Sequence, residues 1–496
     1  MAPVRRPPAA GARRPSSAAD LRPSGSSTQR RPARAAERRG AADERSEAPD
    51  GSLTAEALSE VLRLELPADV ALRGFMRRHP VLGRRDRAEI AETVFDVLRN
   101  RRRYAHLAQA GQGLFERRLA LISLAVRQAW PTPGSRGPLP RPDPAEQLWL
   151  ERCASVDRAL LKALRTRPVD PTVDSKPQAR ATDPIAALAL ATSLPDWAAT
   201  RLVNRLGIDD AAALAQAMLK PARLQLRVNP LRGVAEAALA ALAADGIVAR
   251  PFSGVPGALE IDGHPALEKS ACFTEGQVEV QDVGSQLLAM LVGARRGQTV
   301  IDLCAGAGGK TLALAAAMRS LGQIFACDVS PERLRRMRPR LQRSGATNVQ
   351  PFAIDSLSDR KLVRLAGRAD AVLVDAPCTG SGTWRRNPDL KWRIGPTELE
   401  RLIGEQRAIL RVAAGLLKPG GVLVYGTCSL LTEENESQAA WFEETFPAFR
   451  REPVGPILEA QGVSSAANLC RDGFLSLRPD RHGTDAFFAV RWRAPG

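Results

Sequence analysis

The chain has 496 residues and a formal net charge of +17, from 71 Lys and Arg against 54 Asp and Glu. At roughly 150 residues per domain, this length predicts about three domains and excludes a single ordinary core. The charge favours a polyanionic partner, because basic side chains gain affinity by releasing counterions from phosphates, but it does not separate RNA from DNA. A GC-rich genome also enriches Arg and Ala without a functional cause, so the charge alone does not establish such a partner.

Cysteine and histidine usage argues against a secreted or metal-bound protein. The seven cysteines are odd in number and spread thinly, unlike those of a disulfide scaffold, and none of the four histidines joins two cysteines at metal-ligand spacing. The chain also lacks a run of about 18 apolar residues and the apolar core of a secretory signal. We therefore expect a cytoplasmic monomer that holds no metal and does not enter a membrane.

Residues 1–50 are rich in Arg, Pro, Ala and Ser and have almost no large apolar groups, so burial cannot offset their ordering entropy. Arg and Ser are also abundant in organellar transit peptides, but the early prolines would break the amphipathic helix that such a peptide needs. We predict a disordered basic arm.

Residues 51–183 are predicted to form an all-helical domain. Apolar residues recur at helical spacing over 53–130 and again over 148–164. A stretch rich in Pro, Gly and Arg at 131–144 interrupts this pattern as a loop, and the polar stretch 165–183 separates the helical domain from the rest of the chain.

Two further units are predicted. Residues 184–272 alternate helical runs with short strand-like segments such as 224–228, which indicates a small α+β module. Over 273–496 the order becomes strand, Gly-rich turn and helix, repeated, which is typical of a parallel sheet with helices on both faces. The predicted fold is therefore multidomain, with a C-terminal α/β Rossmann-like domain.

The segment 299–311 runs from a buried strand through a Gly-rich turn into a helix, which predicts a nucleotide-like ligand above the turn. A P-loop would need Gly where Cys304 stands, and a dinucleotide-binding loop would favour Gly or Ala in place of Thr311. An S-adenosylmethionine methyltransferase loop fits better. It requires an acid for the ribose hydroxyls at the end of the next strand, where Asp328 stands, and Asp355 follows a further strand within reach of the adenine. Alternatively, both acids cap helices.

Two cysteines follow strands at the same predicted edge of the sheet. Cys378 comes after the strand that ends at Asp375, and Cys428 comes after the strand 421–425. The other five cysteines are interpreted as small buried hydrophobes, and a redox pair lacks the C-x-x-C spacing. Attack on a base explains these two thiols better, because carbon 5 of cytosine becomes nucleophilic only after a thiolate adds to carbon 6. Asp375 is suited to hydrogen bonding with the base, and a second cysteine to product release.

These motifs together resemble the Sun (Fmu) family of RNA cytosine-5 methyltransferases, which includes bacterial enzymes that act on 16S rRNA. The resemblance implies an S-adenosylmethionine methyltransferase fold for the C-terminal domain and S-adenosyl-L-methionine as the cofactor. The family-like motifs occur in family order, as Gln281-Asp282, Asp302-Leu303-Cys304 through Lys310-Thr311, Asp375-Ala376-Pro377-Cys378-Thr379-Gly380-Ser381-Gly382, Asn387-Pro388-Asp389, and Tyr425 with Thr427-Cys428-Ser429 and Glu433-Glu434-Asn435-Glu436.

The resemblance also implies roles for individual residues. Cys428 is the nucleophile, Cys378 promotes product release and Asp375 contacts the base or the cofactor, so these three are the implied catalytic residues. A DNA cytosine-5 methyltransferase would instead use Cys378, the cysteine of its Pro-Cys motif. The implied cofactor-binding residues are Cys304, Ala305, Gly306, Ala307, Gly308, Gly309, Lys310, Asp328, Asp355 and Asp375.

The similarity extends upstream. Arg227-Val228-Asn229, the helix 234–244 and Gly246 resemble the small RNA-binding module of the family, and 51–165 resembles a NusB-type RNA-binding domain. The latter favours 16S rRNA as the partner, with a tRNA methyltransferase and a non-catalytic RNA-binding assembly factor as alternatives. One departure is Gly306-Ala307, where the family usually has Ala-Pro; we expect a looser loop that still binds the cofactor.

The basic segment 384–393 mixes Trp, Arg and Lys, which is the composition of an RNA-facing loop. A solvated loop with Trp392 packed inward is an equal alternative.

Overall fold

The computed structural model describes residues 53–130, 137–163, 183–263 and 265–496. The basic arm predicted for 1–50, and parts of the predicted stretches 131–144 and 165–183, lie outside the described residues. All described residues belong to one compact unit, so the domain boundaries inferred from the sequence stay predictions.

Helices and strands are numbered in chain order. The helices are α1 (Leu53–Val61), α2 (Ala68–Arg78), α3 (Arg84–Ala108), α4 (Phe115–Arg127), α5 (Pro144–Ala163), α6 (Pro184–Ala191), α7 (Asp196–Leu206), α8 (Ile208–Met218), α9 (Ala235–Ala244), α10 (Ala271–Thr274), α11 (Val283–Leu291), α12 (Gly309–Ala317), α13 (Pro331–Ser344), α14 (Arg360–Val363), α15 (Leu390–Arg393), α16 (Pro396–Leu416), α17 (Glu436–Thr445), α18 (Val454–Glu459) and α19 (Pro479–His482). The strands are β1 (Leu224–Val228), β2 (Ala249–Pro251), β3 (Ala258–Ile261), β4 (Val278–Val280), β5 (Thr299–Asp302), β6 (Gln323–Asp328), β7 (Val349–Ala353), β8 (Ala369–Asp375), β9 (Leu417–Thr427), β10 (Arg450–Glu452), β11 (Cys470–Arg471), β12 (Phe474–Leu477) and β13 (Phe487–Arg493).

Helices α1 to α5 pack around a shared apolar core, which confirms the predicted helical character of the N-terminal region. Apolar residues at helical spacing turn one face of each helix inward, and Leu58, Leu98 and Leu119 are fully buried there. Helix α3 is kinked at Asn100, whose backbone is non-helical and whose side-chain amide donates to the carbonyl of Asp96 over 3.0 Å. The kink lies where α3 contacts the rest of the protein.

Helices α6 to α8 pack against loops of the large C-terminal sheet. Their buried residues Leu188, Leu202 and Leu214 share one core with Trp384 and Leu430, which belong to loops after β8 and β9. The packing joins these helices to the edge of the sheet where the chemistry was predicted.

The small module is an antiparallel sheet covered by α9. Within the described residues it has four strands in the order β2-β3-β1-β4, and Leu226, Leu242 and Leu259 are buried between the sheet and the helix. This arrangement confirms the predicted small α+β module.

The C-terminal sheet has, in the described part of the chain, nine strands with the main order β11-β12-β13-β9-β8-β5-β6-β7. Strands β5 to β9 pair in parallel, whereas β13 is antiparallel to β9. Apolar cores lie on both faces, one containing Leu287 and Leu314 and the other Leu410 and Phe442. The predicted α/β fold class is confirmed, and the ends of β5, β6, β8 and β9 meet at one edge.

No helix in the described ranges combines the length and the apolar character needed to cross a membrane.

Candidate active site

The Gly-rich loop between β5 and α12 is tightly anchored. Gly308 has a positive φ of 88°, and a Cβ at this position would come within 2.5 Å of Met337 Cγ, so only glycine fits. The N–H of Gly306 donates to Asp328 Oδ2 over 2.8 Å, and the carbonyl of Ala307 accepts from Arg340 Nη1 over 2.6 Å. The loop is therefore held at both residues that depart from the family pattern.

Asp328 and Asp355 lie at the ends of neighbouring strands, and neither is the N-cap of the helix that follows. Asp328 is buried and also accepts from the N–H of Ser330, while the Ser330 side chain caps α13. Asp355 is exposed, and Asp359 caps α14. The helix-cap alternative is therefore wrong for both acids, which leaves a ligand role open to them.

Asp302 is a site residue that the sequence marks only as part of a motif. The side chain is buried under the loop, and Oδ2 accepts from Thr311 Oγ1 over 2.7 Å. Its other oxygen, Oδ1, has no hydrogen-bond partner in the structure. Burial raises the pKa of Asp302 to about 7. An acid that ends a buried strand just before a Gly-rich turn was the available signal for this residue.

Lys310 and Asp375 form an ion pair beside the loop. Lys310 Nζ lies 2.6 Å from Asp375 Oδ2, and the lysine side chain is only 10% exposed. Burial acts to lower the pKa of Lys310, but Asp375, with further contributions from Cys428 and Asp302, outweighs it and the net shift is upward. Lys310 is therefore held as a cation within the site.

The two candidate thiols meet, as their places after neighbouring strands predict. Cys378 Sγ and Cys428 Sγ are 3.5 Å apart, and both residues are half-buried. The hydrogen bond with Cys428, together with burial, raises the pKa of the Cys378 thiol well above its usual range. Burial also raises the pKa of Cys304 well above its usual range, so that residue stays a neutral thiol.

Glu434 is a second residue whose importance only the structure reveals. It is fully buried behind the two thiol loops, and its carboxylate accepts hydrogen bonds from residues of both. In the sequence it stands out only as one letter of a family motif.

Much of the basic segment 384–393 is buried, and Trp392 packs inward against the helical core, as one of the two interpretations expected. Lys391 Nζ donates to the carbonyl of Arg99 over 2.7 Å and to that of Ser193 over 3.1 Å. Trp392 Nε1 donates to the carbonyl of Leu98 over 2.8 Å. The carbonyls of Leu98 and Arg99 lie beside the α3 kink, where the helix leaves such groups available. The segment therefore docks the helical region onto the C-terminal domain.

In the described ranges, no cluster of three or more His, Cys, Asp or Glu residues is placed to hold a metal ion.

Comparison with known proteins places this site in a family. Residues 289–493 match the family described as 16S rRNA methyltransferase RsmB/F, and residues 194–268 match the ferredoxin-like domain of the same group. A Bacillus subtilis protein named probable ribosomal RNA small subunit methyltransferase B is 32% identical over 324 residues, 63% of this chain and 69% of the relative. The chain belongs to the RsmB/F family. An Escherichia coli ribosomal RNA small subunit methyltransferase F is 32% identical over 298 residues, 58% of this chain and 60% of the relative.

Solved structures agree with this assignment. The crystal structure of PH0851 superposes with a TM-score of 0.68 at 27% identity and covers 89% of this chain and 97% of PH0851. A methyltransferase homolog from Pyrococcus horikoshii gives a TM-score of 0.53 at 30% identity and covers 62% of this chain and 98% of that protein. The C-terminal domain thus has the S-adenosylmethionine-dependent methyltransferase fold of the RsmB/F family, while a NusB-like N-terminal domain stays a prediction.

The site also fits the family's cofactor, S-adenosylmethionine. This molecule carries an ammonium and a sulfonium group, and the loop offers it the unpartnered Oδ1 of Asp302 in an acidic setting that includes Asp328 and Asp375. The exposed Asp355 at the neighbouring strand end extends this acidic edge.

Proposed function

We propose that this RsmB/F family member methylates carbon 5 of cytosine in RNA, with 16S rRNA as the substrate. The observation that carries the proposal is the 3.5 Å contact between Cys378 Sγ and Cys428 Sγ beside the Lys310–Asp375 pair. A single nucleophile needs one thiol. Two thiols in contact suit a reaction in which one forms an adduct with the base and the other helps to resolve it.

In this mechanism Cys428 Sγ adds to carbon 6 of the cytosine, which moves electron density onto carbon 5. S-adenosylmethionine supplies the methyl group that carbon 5 takes up. A base then takes the carbon 5 proton, the bond between Sγ and carbon 6 breaks with its electron pair returning to sulfur, and the aromatic base is restored. Asp375 hydrogen-bonds to the base, and Cys378 assists the release steps.

Electrostatics supports Cys428 as the nucleophile. The Lys310 ammonium interacts favourably with a thiolate at Cys428. The contact with Cys428 and burial raise the pKa of the Cys378 thiol well above its usual range, so Cys378 keeps its proton. A thiol that keeps its proton is a poor nucleophile, which leaves the attack on carbon 6 to Cys428.

The names of the relatives support 16S rRNA as the substrate, because those from Bacillus subtilis and Escherichia coli are named as small-subunit ribosomal RNA methyltransferases. A tRNA substrate with the same chemistry, and a non-catalytic assembly factor, are the alternatives. The paired thiols argue against the second of these.

The test is methyl transfer from labelled S-adenosylmethionine into 16S rRNA and tRNA from a deletion strain, with bisulfite sequencing of both RNAs. We expect one or more 16S rRNA cytosines to become methylated. Methylation of tRNA alone would reassign the substrate, and no transfer by folded protein into either RNA would refute the enzyme.

Variants test the roles of the thiols. Cys428→Ala should abolish turnover, and Cys378→Ala should accumulate a covalent adduct with RNA that survives a denaturing gel. Cys470→Ala is the matched control, because the Cys470 thiol hydrogen-bonds to the carbonyl of Ala466 and not to the thiol pair, so its loss should leave turnover unchanged. An adduct formed by Cys428→Ala would reverse the assignment.

A further inference from the structure

Glu434 ends a short 3-10 turn, Thr432–Glu434, that follows the second thiol loop. Its side chain is fully buried, yet both carboxylate oxygens are well supplied with donors. Oε1 accepts from the N–H of Thr379 over 2.8 Å and from Gln406 Nε2 over 3.1 Å. Oε2 accepts from Thr379 Oγ1 over 2.6 Å and from Ser429 Oγ. Four hydrogen bonds thus converge on one carboxylate.

The donors link this carboxylate to both candidate thiols. Thr379 directly follows Cys378 in the chain, and Ser429 directly follows Cys428. The two loops are 50 residues apart in sequence and come from different strands, so their relative position depends on contacts between them. Glu434 supplies such a contact by binding the residue after each thiol.

Neighbouring hydrogen bonds reinforce the same junction. The N–H of Gly382 donates to the carbonyl of Cys428 over 2.9 Å, and Gln406 Nε2 also donates to the carbonyl of Pro377 over 2.9 Å. The backbone of Glu434 is itself fixed, because Tyr425 Oη donates to its carbonyl over 2.7 Å. Glu434 is therefore the centre of a buried polar network that spans both loops.

A purely space-filling role does not explain a carboxylate at this place. Burial raises the pKa of Glu434 even though the hydrogen bonds from Ser429 and Thr379 act to lower it, so the charged form carries a desolvation cost. A neutral glutamine has nearly the same shape and can keep an acceptor at the Oε1 position, but its amide nitrogen cannot accept from the Thr379 and Ser429 hydroxyls at the Oε2 position, so both hydroxyls would have to turn and accept instead. Only a carboxylate accepts at both.

We propose that Glu434 is a positioning residue that holds the Cys378 and Cys428 thiols in contact. The inference deepens the proposed function and rests on it. In that function the two thiols must stay in contact, because the second thiol must reach the adduct formed by the first. If the hydrogen bonds of Glu434 are weakened, the rate at which the methylated RNA is released should fall more than the affinity for the cofactor. The reason is that Glu434 contacts the thiol loops and not the Gly-rich loop.

The experiment measures thiol proximity separately from catalysis. The full-length protein, without RNA or cofactor, is treated with diamide, which takes two electrons and two protons from Cys378 and Cys428 and leaves a disulfide and a hydrazine. The rate at which the Cys378–Cys428 crosslink forms is followed by peptide mass spectrometry. Glu434→Gln is compared with Glu433→Gln. Glu433 is the preceding residue, and its carboxylate pairs with Arg201 and not with the thiol loops.

We expect Glu434→Gln to slow the crosslink about tenfold, the scale of one lost charge-assisted hydrogen bond, and to lengthen the lifetime of the RNA adduct. S-adenosylmethionine affinity should stay within about twofold of the wild-type value, and Glu433→Gln should match the wild type in both readouts. If Glu434→Gln does not fold, Thr379→Val keeps the test available, because it removes one donor to Oε2 and conserves side-chain shape.

A folded Glu434→Gln that crosslinks at the wild-type rate would overturn the proposal, as would a wild-type protein that forms no Cys378–Cys428 crosslink. If the crosslink slows in Glu434→Gln while the wild type methylates no RNA, the positioning role stands and the proposed function fails. The two failures are therefore distinguishable.

Discussion

The cofactor loop and the basic segment 384–393 each bury one lysine, and the two lysines have opposite electrostatic surroundings. Lys310 is paired with Asp375 over 2.6 Å, and the net shift of its pKa is upward. Lys391 is 2% exposed and donates to two backbone carbonyls, and no carboxylate in the described part of the chain forms an ion pair with it. Burial, with the nearby Arg99 and Arg103, holds the pKa of Lys391 well below its usual range.

This difference suits Lys310 to a role in the candidate active site and Lys391 to a role in holding the fold together. A charge retained beside a half-buried carboxylate can act on a ligand. Lys391 instead donates its hydrogen bonds to backbone carbonyls of the helical region, so its role is to hold that region in place. Both residues are lysines, so the partners and not the residue type decide the role.

The largest effect should come from the site lysine. Lys310→Met removes the cation that pairs with Asp375, and we expect methyl transfer to fall about 10² to 10³-fold, the scale of one preorganised catalytic group. The free energy of unfolding should change little, because Asp375 is 31% exposed and can be solvated. Single-turnover methyl transfer and urea unfolding check both parts. A Lys310→Met variant that unfolds more easily but turns over normally would show that Lys310 contributes to stability and not to catalysis.

The next effect concerns Lys391. Lys391→Met leaves the carbonyls of Arg99 and Ser193 without this donor, which should lower the free energy of unfolding by about 2 kcal/mol. Cofactor affinity should be unchanged. Lys220→Met, at an exposed position, is the control and should be neutral. Loss of cofactor binding with normal stability would contradict the architectural role.

The pH dependence of the free energy of unfolding tests the same role of Lys391. Because the pKa of Lys391 is lower in the folded protein than its usual 10.5, the folded state binds fewer protons over the range between the two values. Stability from this group must therefore rise with pH and level off above 10.5. The difference in unfolding free energy between the wild type and Lys391→Met should grow as the pH is raised from about 7 towards about 10. A difference that shrinks would mean that the amine is buried as a cation.

The smallest effect should come from Trp392. Trp392→Phe removes the 2.8 Å hydrogen bond to the carbonyl of Leu98 and should cost about 1 kcal/mol. Trp130→Phe, at a residue that is 42% exposed, provides the comparison and should be near zero. Chemical denaturation of both variants measures the difference, and equal stabilities would show that the Trp392 indole adds nothing to the docking.

Local sequence signals account for much of the fold and of the site. The apolar strands that end at Asp302, Asp328 and Asp375 are short continuous runs bounded by turn residues, so the sheet and its functional edge could be predicted. The short strands β2, β10 and β11 were not predicted, because two or three residues carry no periodicity. The α3 kink at Asn100 was also missed, because no Gly or Pro marks it in the sequence.

The sequence by itself determined that Cys378 and Cys428 each follow a strand at the same edge of the sheet, because continuous apolar runs bounded by turn residues mark where each strand ends. Only the tertiary structure decided that Glu434 joins the two thiol loops, since Thr379 lies 55 residues from it. It also decided that Lys391 and Trp392 meet α3, nearly 300 residues upstream. A polar side chain needs a partner when it is buried, but its own sequence neighbourhood does not say which distant backbone or carboxylate will provide one.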